Sequence, residues 1–198
     1  MLTNTINMAH SGSVVVFCGS KSGGNPLFER HARELGRMMA GKGLRLIYGG
    51  GNRGLMGAVA NGVLEAGGTV TGIIPELLNQ WEQQHDKVTE LIVVENMHVR
   101  KRLLYERADA AIILPGGFGT MDELFEILTW NQLSIHDKQV FLLNSGGFYN
   151  ALLEHLQQMK REGFLYTEIE KALTVIAEPS GFFESFTGGS GNPERAGC

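Results

Sequence analysis

The run Pro115-Gly116-Gly117-Phe118-Gly119-Thr120-Met121-Asp122-Glu123 brings together residue types suited to chemistry on a phosphorylated small molecule. An apolar stretch, Ala110 to Leu114, precedes it and reads as a buried strand, while Leu124, Ile127 and Leu128 follow at helical spacing. A glycine-rich turn between a strand and a helix gathers free backbone N–H groups and the positive helix end at one point, a ready anion site. Glu123 adds a carboxylate in the first helical turn. Thr120-x-x-Glu123 also reads as a capping box, with Thr120 as N-cap and Glu123 reaching back to its N–H. At ~100° per residue, Glu123 falls between Ile127 and Trp130 on the flank of the buried stripe, and Asp122 falls beside Glu126 on the solvent side. Glu123 is therefore the acid expected to face a site.

Arg100-Lys101-Arg102 is the second notable group. As a basic run it reads first as a solvated patch, but the helical wheel separates the three. Met97, Leu104 and Ala108 share one face, Arg100 and Lys101 flank it, and Arg102 points away. An arginine beside a buried stripe needs a partner, for which a phosphate or carboxylate is suited. His98, two residues before Arg100, reads equally as a site residue and as an ordinary polar residue of a first helical turn.

Other motifs carry less. Gly49-Gly50-Gly51-Asn52-Arg53-Gly54 loosely resembles a dinucleotide fingerprint, without an acid at the end of the next strand. No Gly-Lys-Ser/Thr of a Walker loop occurs. Six histidines, His10, His31, His85, His98, His136 and His155, lack the spacing of metal ligands, so no metal is expected. Cys18 reads as a small core residue, and no Ser/His/Asp order stands out.

These residues need elements to position them. Strands are expected at Ser13 to Gly19, Leu44 to Tyr48, Thr69 to Ile74, Leu91 to Val94, Ala110 to Leu114, Gln139 to Leu143 and Leu173 to Ala177. Helices are expected at Pro26 to Ala40, Leu55 to Ala66, Met97 to Ala108, from the Pro115 motif to about Gln132, and at Tyr149 to Glu162. Pro75 to Glu90 holds Trp81, Glu82 and His85 and reads as a lid. Such alternation argues for an α/β fold, a mostly parallel sheet with helices on both faces. Ligands in such sheets bind beyond the carboxyl ends of the strands, where both glycine turns fall. The expected organisation is a flexible start over 1–12, one domain over 13–187 and a flexible tail over 188–198.

Bulk properties narrow the class. The chain has 198 residues, 43% hydrophobic and 19% charged, enough for one domain with a sizeable core. A net charge of -4 supplies no basic field for nucleic acid or an anionic membrane. Glycine, at 27 residues, is nearly twice its usual share of ~7% and clusters at the expected strand ends. With only Cys18 and Cys198, a structural disulfide is not expected. No apolar run nears the ~20 residues of a membrane span, and no signal pattern opens the chain, so the cytoplasm is the expected compartment.

The Pro115–Glu123 run fits the pattern PGGxGTxxE, and Met97-His98-x-Arg100-Lys101 fits its companion. With Gly49-Gly50-Gly51 through Gly57 and Leu128-Thr129-Trp130, the chain from about Val14 to Ala177 resembles the LOG family of cytokinin riboside 5′-monophosphate phosphoribohydrolases, long labelled lysine decarboxylase-like. The resemblance implies a Rossmann-like three-layer sandwich and a homodimer. It also implies hydrolysis of the N-glycosidic bond of a nucleoside 5′-monophosphate, giving a free base and ribose 5-phosphate without a cofactor. By position it implies Arg100 and Glu123 as the catalytic pair, and Glu82, Lys101, Gly117 to Thr120, and Thr129 as substrate contacts. Beside these, His98, Gly116, Met121 and Asp122 complete the substrate-binding candidates, with Gly19, Ser20, Gly49, Gly50 and Gly51 as phosphate or ribose neighbours. Phe118 stands where the family commonly has tyrosine, and Met121-Asp122 where Leu-Glu is common.

The chemistry of the residues agrees with this. Glycosyl cleavage passes through an oxocarbenium-like state, which a nearby carboxylate stabilises or relieves by activating water or by attacking. The alternative is a noncatalytic nucleotide- or cofactor-binding module, which would keep the glycine turns without needing the Arg100–Glu123 pair. An NAD-dependent oxidoreductase would call for a fuller fingerprint. A lysine decarboxylase would require a Schiff-base lysine that nothing here marks.

Overall fold

A computed structural model describes residues 12–78 and 83–186. Seven strands form one sheet in the order β4-β3-β2-β1-β5-β6-β7. They are β1 (Ser13–Phe17), β2 (Arg45–Tyr48), β3 (Val70–Pro75), β4 (Glu90–Val94), β5 (Ala110–Ile113), β6 (Gln139–Leu143) and β7 (Thr174–Ile176). Every neighbouring pair is parallel, so the sheet expected to be mostly parallel is wholly so. The central pair runs in register from Val14 opposite Ala110 to Phe17 opposite Ile113.

Strand alternation divides the core into two layers. Val14, Val16, Leu46, Ala110 and Ile112 face one side, covered by α1 (Pro26–Gly41), α2 (Gly54–Glu65) and the short α7 (Ser180–Ser185). Val15, Phe17, Ile47, Ala111 and Ile113 face the other. That side carries α3 (Met97–Glu106), α4 (Phe118–Gln132), α5 (Asn150–Arg161) and the one-turn α6 (Ile169–Ala172). The result is the three-layer Rossmann-like sandwich.

Local chemistry explains the ends of α1. Asn25 caps it through Oδ1, which accepts from Leu27 N at 3.0 Å, and Pro26 occupies the first turn, where its missing N–H costs nothing. One packing device had no sequence signal. Gly36 of α1 and Gly62 of α2 let the two helices approach backbone to backbone. A Cβ on Gly36 would strike the Val59 carbonyl, and one on Gly62 the Arg33 carbonyl.

The strand order reverses between β1 and β5. Successive strands β1 to β4 build outward one way and β5 to β7 the other, leaving a crevice at the carboxyl ends of β1 and β5. Gly12, expected in the flexible start, already accepts from Arg45 N at 3.0 Å. The other expected termini and Trp81 lie outside the described residues. Among the described residues no helix is long and apolar enough to cross a membrane.

Candidate active site

The crevice is stitched together by the backbone. Leu114 N donates to Phe17 O at 2.9 Å, and Gly19 N to Pro115 O at 3.0 Å, so the exits of β1 and β5 hold each other. Leu55 N donates to Gly19 O at 3.1 Å and ties the start of α2 to the same point. From beneath, the buried Tyr149 hydroxyl donates to Leu114 O at 2.6 Å, and burial pushes that hydroxyl well above the ordinary phenol range. The glycine turn after β5 therefore sits on a rigid base.

Helix α4 starts inside the motif. Its N-cap is Gly117 and no side chain caps it. The capping-box reading is thus overturned, because Thr120 is the third residue of the helix and not its cap. Gly116 makes room for this turn, since a Cβ there would overlap the Thr120 side chain, itself buried at 4% exposure. The N–H groups of Phe118, Gly119 and Thr120 have no intrahelical acceptor, by the geometry of any helix start. They stand at the positive end of a 15-residue helix.

A cavity of about 280 Å3 opens there, lined by Gly19 and Ser20 from the β1 exit, Gly49 from the β2 exit, Arg100 from α3, and Gly117 to Thr120 with Asp122 and Glu123 from α4. The two separated motifs thus meet at one place. Arg100 is 5% exposed, and its Nε donates to Ile73 O at 3.1 Å and its Nη2 to Gly49 O at 2.9 Å. Two backbone carbonyls fix this cation in the cavity wall. The wheel ranks the acids correctly by exposure, with Glu123 half-buried and Asp122 59% exposed, but both line the cavity, so Asp122 is not confined to the solvent side.

Several expected residues stand elsewhere. Lys101 turns from the cavity to α4, where its Nζ lies 2.6 Å from Asp122 Oδ2 and 3.4 Å from Glu126 Oε2. Burial opposes its charge, but the Asp122 hydrogen bond and the Glu126 charge outweigh this and hold it above the ordinary lysine range. His98 is exposed on the first turn of α3, off the cavity lining. Met121 is half-buried beside the cavity without lining it. Gly116 walls an adjacent cavity of about 350 Å3 that shares Gly19, Ser20 and Gly117. Gly50 and Gly51 hold the far side of the second glycine turn. Gly50 O accepts from His85 N at 3.0 Å, and Gly51 bridges to Gln84. Thr129 lies on α4 beside a third cavity of about 500 Å3, its hydroxyl donating to Phe125 O at 2.7 Å. Glu82 lies outside the described residues.

The structure also adds residues. Cys18, read as a core residue, is 8% exposed and lines the same cavity. Away from it, the His31 ring bridges Ser145 Oγ, 2.9 Å from Nδ1, and Glu178 Oε2, 2.8 Å from Nε2. This Ser–His–Glu chain escaped the sequence reading because its members are 114 and 33 residues apart in sequence. With Ser145 fully buried, no substrate reaches its hydroxyl, and the chain serves to tie α1 to the β6 and β7 exits. Among the described residues no three His, Cys, Asp or Glu side chains are placed to hold a metal ion.

A family model described as possible lysine decarboxylase matches residues 56–186. The chain is 44% identical over 178 residues to a cytokinin riboside 5′-monophosphate phosphoribohydrolase of Rhodococcoides fascians, across 84% of this chain and 90% of that protein. A protein of the same description from Arabidopsis thaliana is 41% identical over 176 residues, across 89% of this chain and 81% of that one. Among solved structures, the molybdenum cofactor binding protein of Rippkaea orientalis matches with a TM-score of 0.66 at 24% identity. That match covers 88% of this chain and 94% of that one, and at this identity it speaks for the fold alone.

Proposed function

Since this chain belongs to the LOG family, the proteins whose model carries the description possible lysine decarboxylase, we propose that it is a cytoplasmic N-glycosidase of adenosine 5′-monophosphates. It releases adenine or an N6-modified adenine together with ribose 5-phosphate. The observation that carries this reading is the convergence of Arg100, Glu123 and the open N–H groups of α4 on one cavity. A noncatalytic binding module has no need for a buried arginine facing a carboxylate-bearing helix.

Each part has a task in the reaction. The N–H groups of Phe118 to Thr120 hold the 5′-phosphate at the positive end of α4. Phosphate binding remote from the scissile bond supplies orientation at the reacting centre. As the bond from C1′ to the base nitrogen breaks, positive charge grows on the ribose and the Glu123 carboxylate stabilises it. Water then adds its hydroxyl to C1′, and its proton passes through Glu123 to the departing base. Arg100, held by two backbone carbonyls, is a fixed cation that keeps phosphate and carboxylate in their places without moving during the reaction.

The working unit is a homodimer. Thr129 lies six residues beyond Glu123 on α4, roughly 9 Å further along the helix, and lines a different cavity of its own chain. Apolar side chains stand outward on the same helix, Phe118 at 97% and Phe125 at 37% exposure. A second copy packed on this face covers them and brings its own Thr129 toward the cavity.

Incubation of the purified protein with AMP and with a prenylated AMP, followed by chromatography of free base, tests the activity. Base release from either is expected. Glu123→Gln is expected to lower kcat by about 10²-fold or more while phosphate esters still bind. Near-normal turnover in that variant would reduce Glu123 to a structural residue, and no release from either nucleotide would overturn the reading.

A further inference from the structure

Behind the cavity, α3 and α4 are laced by polar groups that do not line it. Tyr105 of α3 is 2% exposed, and its hydroxyl lies 2.8 Å from Glu126 Oε2 and 3.2 Å from the backbone carbonyl of Glu123. Both neighbours only accept, so the single phenolic proton is donated to Glu126 and leans on Glu123 O as a three-centre bond. A helical carbonyl has a second lone pair for such a contact. The ring itself is wedged against Trp130, with centroids 4.9 Å apart, and Phe17, 5.6 Å away. Lys101, one turn earlier on α3, meets the same Glu126 oxygen at 3.4 Å.

We propose that Tyr105 and Glu126 are positioning residues for Glu123. The pair clamps the carbonyl of Glu123 to the helix that also carries Arg100, so one hydrogen-bonded unit helps hold the two helices that bring these site residues to the cavity. Misplacement of a reacting group by about 1 Å costs as much as 10²-fold in rate, and the Tyr105 hydroxyl ties α4 to α3 at the backbone of Glu123 itself. A second effect is electrostatic. Glu126 sits one turn below Glu123, and the Tyr105 proton with the Lys101 ammonium offsets a like charge that would otherwise favour protonation of Glu123. The charged and titratable groups around Glu123 are Arg100, Lys101 and Tyr105 on α3, Asp122 and Glu126 on α4, and Cys18 at the β1 exit.

The proposal rests on Glu123 carrying the chemistry, and the test separates the two ideas. Base release from AMP is measured for wild type, Glu123→Gln, Tyr105→Phe, Glu126→Gln and the Tyr105→Phe/Glu126→Gln double variant. Tyr105→Phe keeps the ring in its aromatic seat, and Glu126→Gln keeps the shape of a side chain 24% exposed. Each single variant is expected to lose about tenfold in kcat with KM within about twofold, and the double to be no slower than the slower single. The acid limb of the rate profile is expected to move to higher pH in Tyr105→Phe, where Glu126 loses its donor. It is expected to move to lower pH in Glu126→Gln, where the like charge is gone. A merely structural role would not move the two limbs in opposite directions. If Glu123→Gln is inactive while both new variants turn over at the wild-type rate with unshifted profiles, the positioning role is overturned and the catalytic reading stands. If Glu123→Gln is active, the catalytic reading falls and takes the positioning role with it. Should Tyr105→Phe fail to fold, Glu126→Gln alone decides by the same kcat and profile criteria.

Discussion

Arg100 donates from Nη2 to the carbonyl oxygen of Gly49 at 2.9 Å, joining α3 to the glycine turn that follows β2. The contact exists because residue 49 has no side chain. A Cβ there would land on the guanidinium and come within 3.1 Å of Met56 Sδ. The glycine does not serve a strained backbone at this point; it clears space for a buried cation.

Gly49→Ala is therefore expected to displace Arg100 and to lower kcat on AMP by about tenfold or more, with smaller losses in Tm. Steady-state kinetics beside a thermal melt checks this. Wild-type turnover in a folded Gly49→Ala protein would show that the seat of Arg100 is not critical.

The open N–H groups of α4 make a claim about substrate. AMP should be cleaved with a kcat/KM about 10²-fold or more above that of adenosine, because the phosphate supplies binding energy used at the reacting centre. Equal values for the two would remove the phosphate from the start of α4.

Acid should weaken the fold through His85. Its ring is 2% exposed, with Nδ1 accepting from Lys87 N at 3.3 Å and Nε2 lying 3.2 Å from Asn61 Oδ1, so the neutral ring satisfies both neighbours. Burial holds its proton affinity below that of an ordinary histidine, with Lys87 adding to the fall and Asp86 opposing it. An unfolded histidine titrates near ~6.5, so just below that pH the unfolded chain binds more protons than the folded one. Stability is then full above about pH 6.5 and declines as pH falls toward the folded value. Tm measured from about pH 7 to about pH 5 should drop, and less steeply in His85→Gln. His136, shifted the same way by burial, contributes to the remaining slope. Parallel slopes in the two proteins would clear His85 of the effect.

Light scattering at micromolar concentration should return twice the 21.6 kDa chain mass. Phe118→Ser/Phe125→Ser should shift the mass toward one chain, since exposed apolar patches of this kind mark interfaces. A fully active monomer of the wild-type chain would leave Thr129 without a role in the site.

Much of this protein was legible before its structure. Strand alternation such as Val14 and Val16 against Val15 and Phe17, and the 3.6-residue spacing of Leu124 and Ile127, are short-range signals, so element order and the sheet type followed from them. The same periodicity separated buried Arg100 from outward Arg102, which is 63% exposed. Element ends were less legible. The start of α4 at Phe118 depends on how the turn after β5 is held by the β1 exit, not on the Thr120-x-x-Glu123 pattern.

By itself the sequence determined which residue types stand at the carboxyl ends of β1, β2 and β5, because turn chemistry and periodicity are written within a few neighbours. Only the tertiary structure decided which of them touch. Lys101 and Arg100 are adjacent in the chain, yet one pairs with Asp122 and Glu126 on α4 and the other with the Gly49 and Ile73 carbonyls. Tyr105 is an unremarked helical residue until α4 packs beside it and sets two acceptors at its hydroxyl. Thr129 belongs to the same helix as Glu123 but opens onto a different cavity, because the rise of the helix carries it away from the strand ends. Contacts of this kind depend on the distance and rotation at which whole helices settle on the sheet, and those are set by long-range packing that no local pattern encodes.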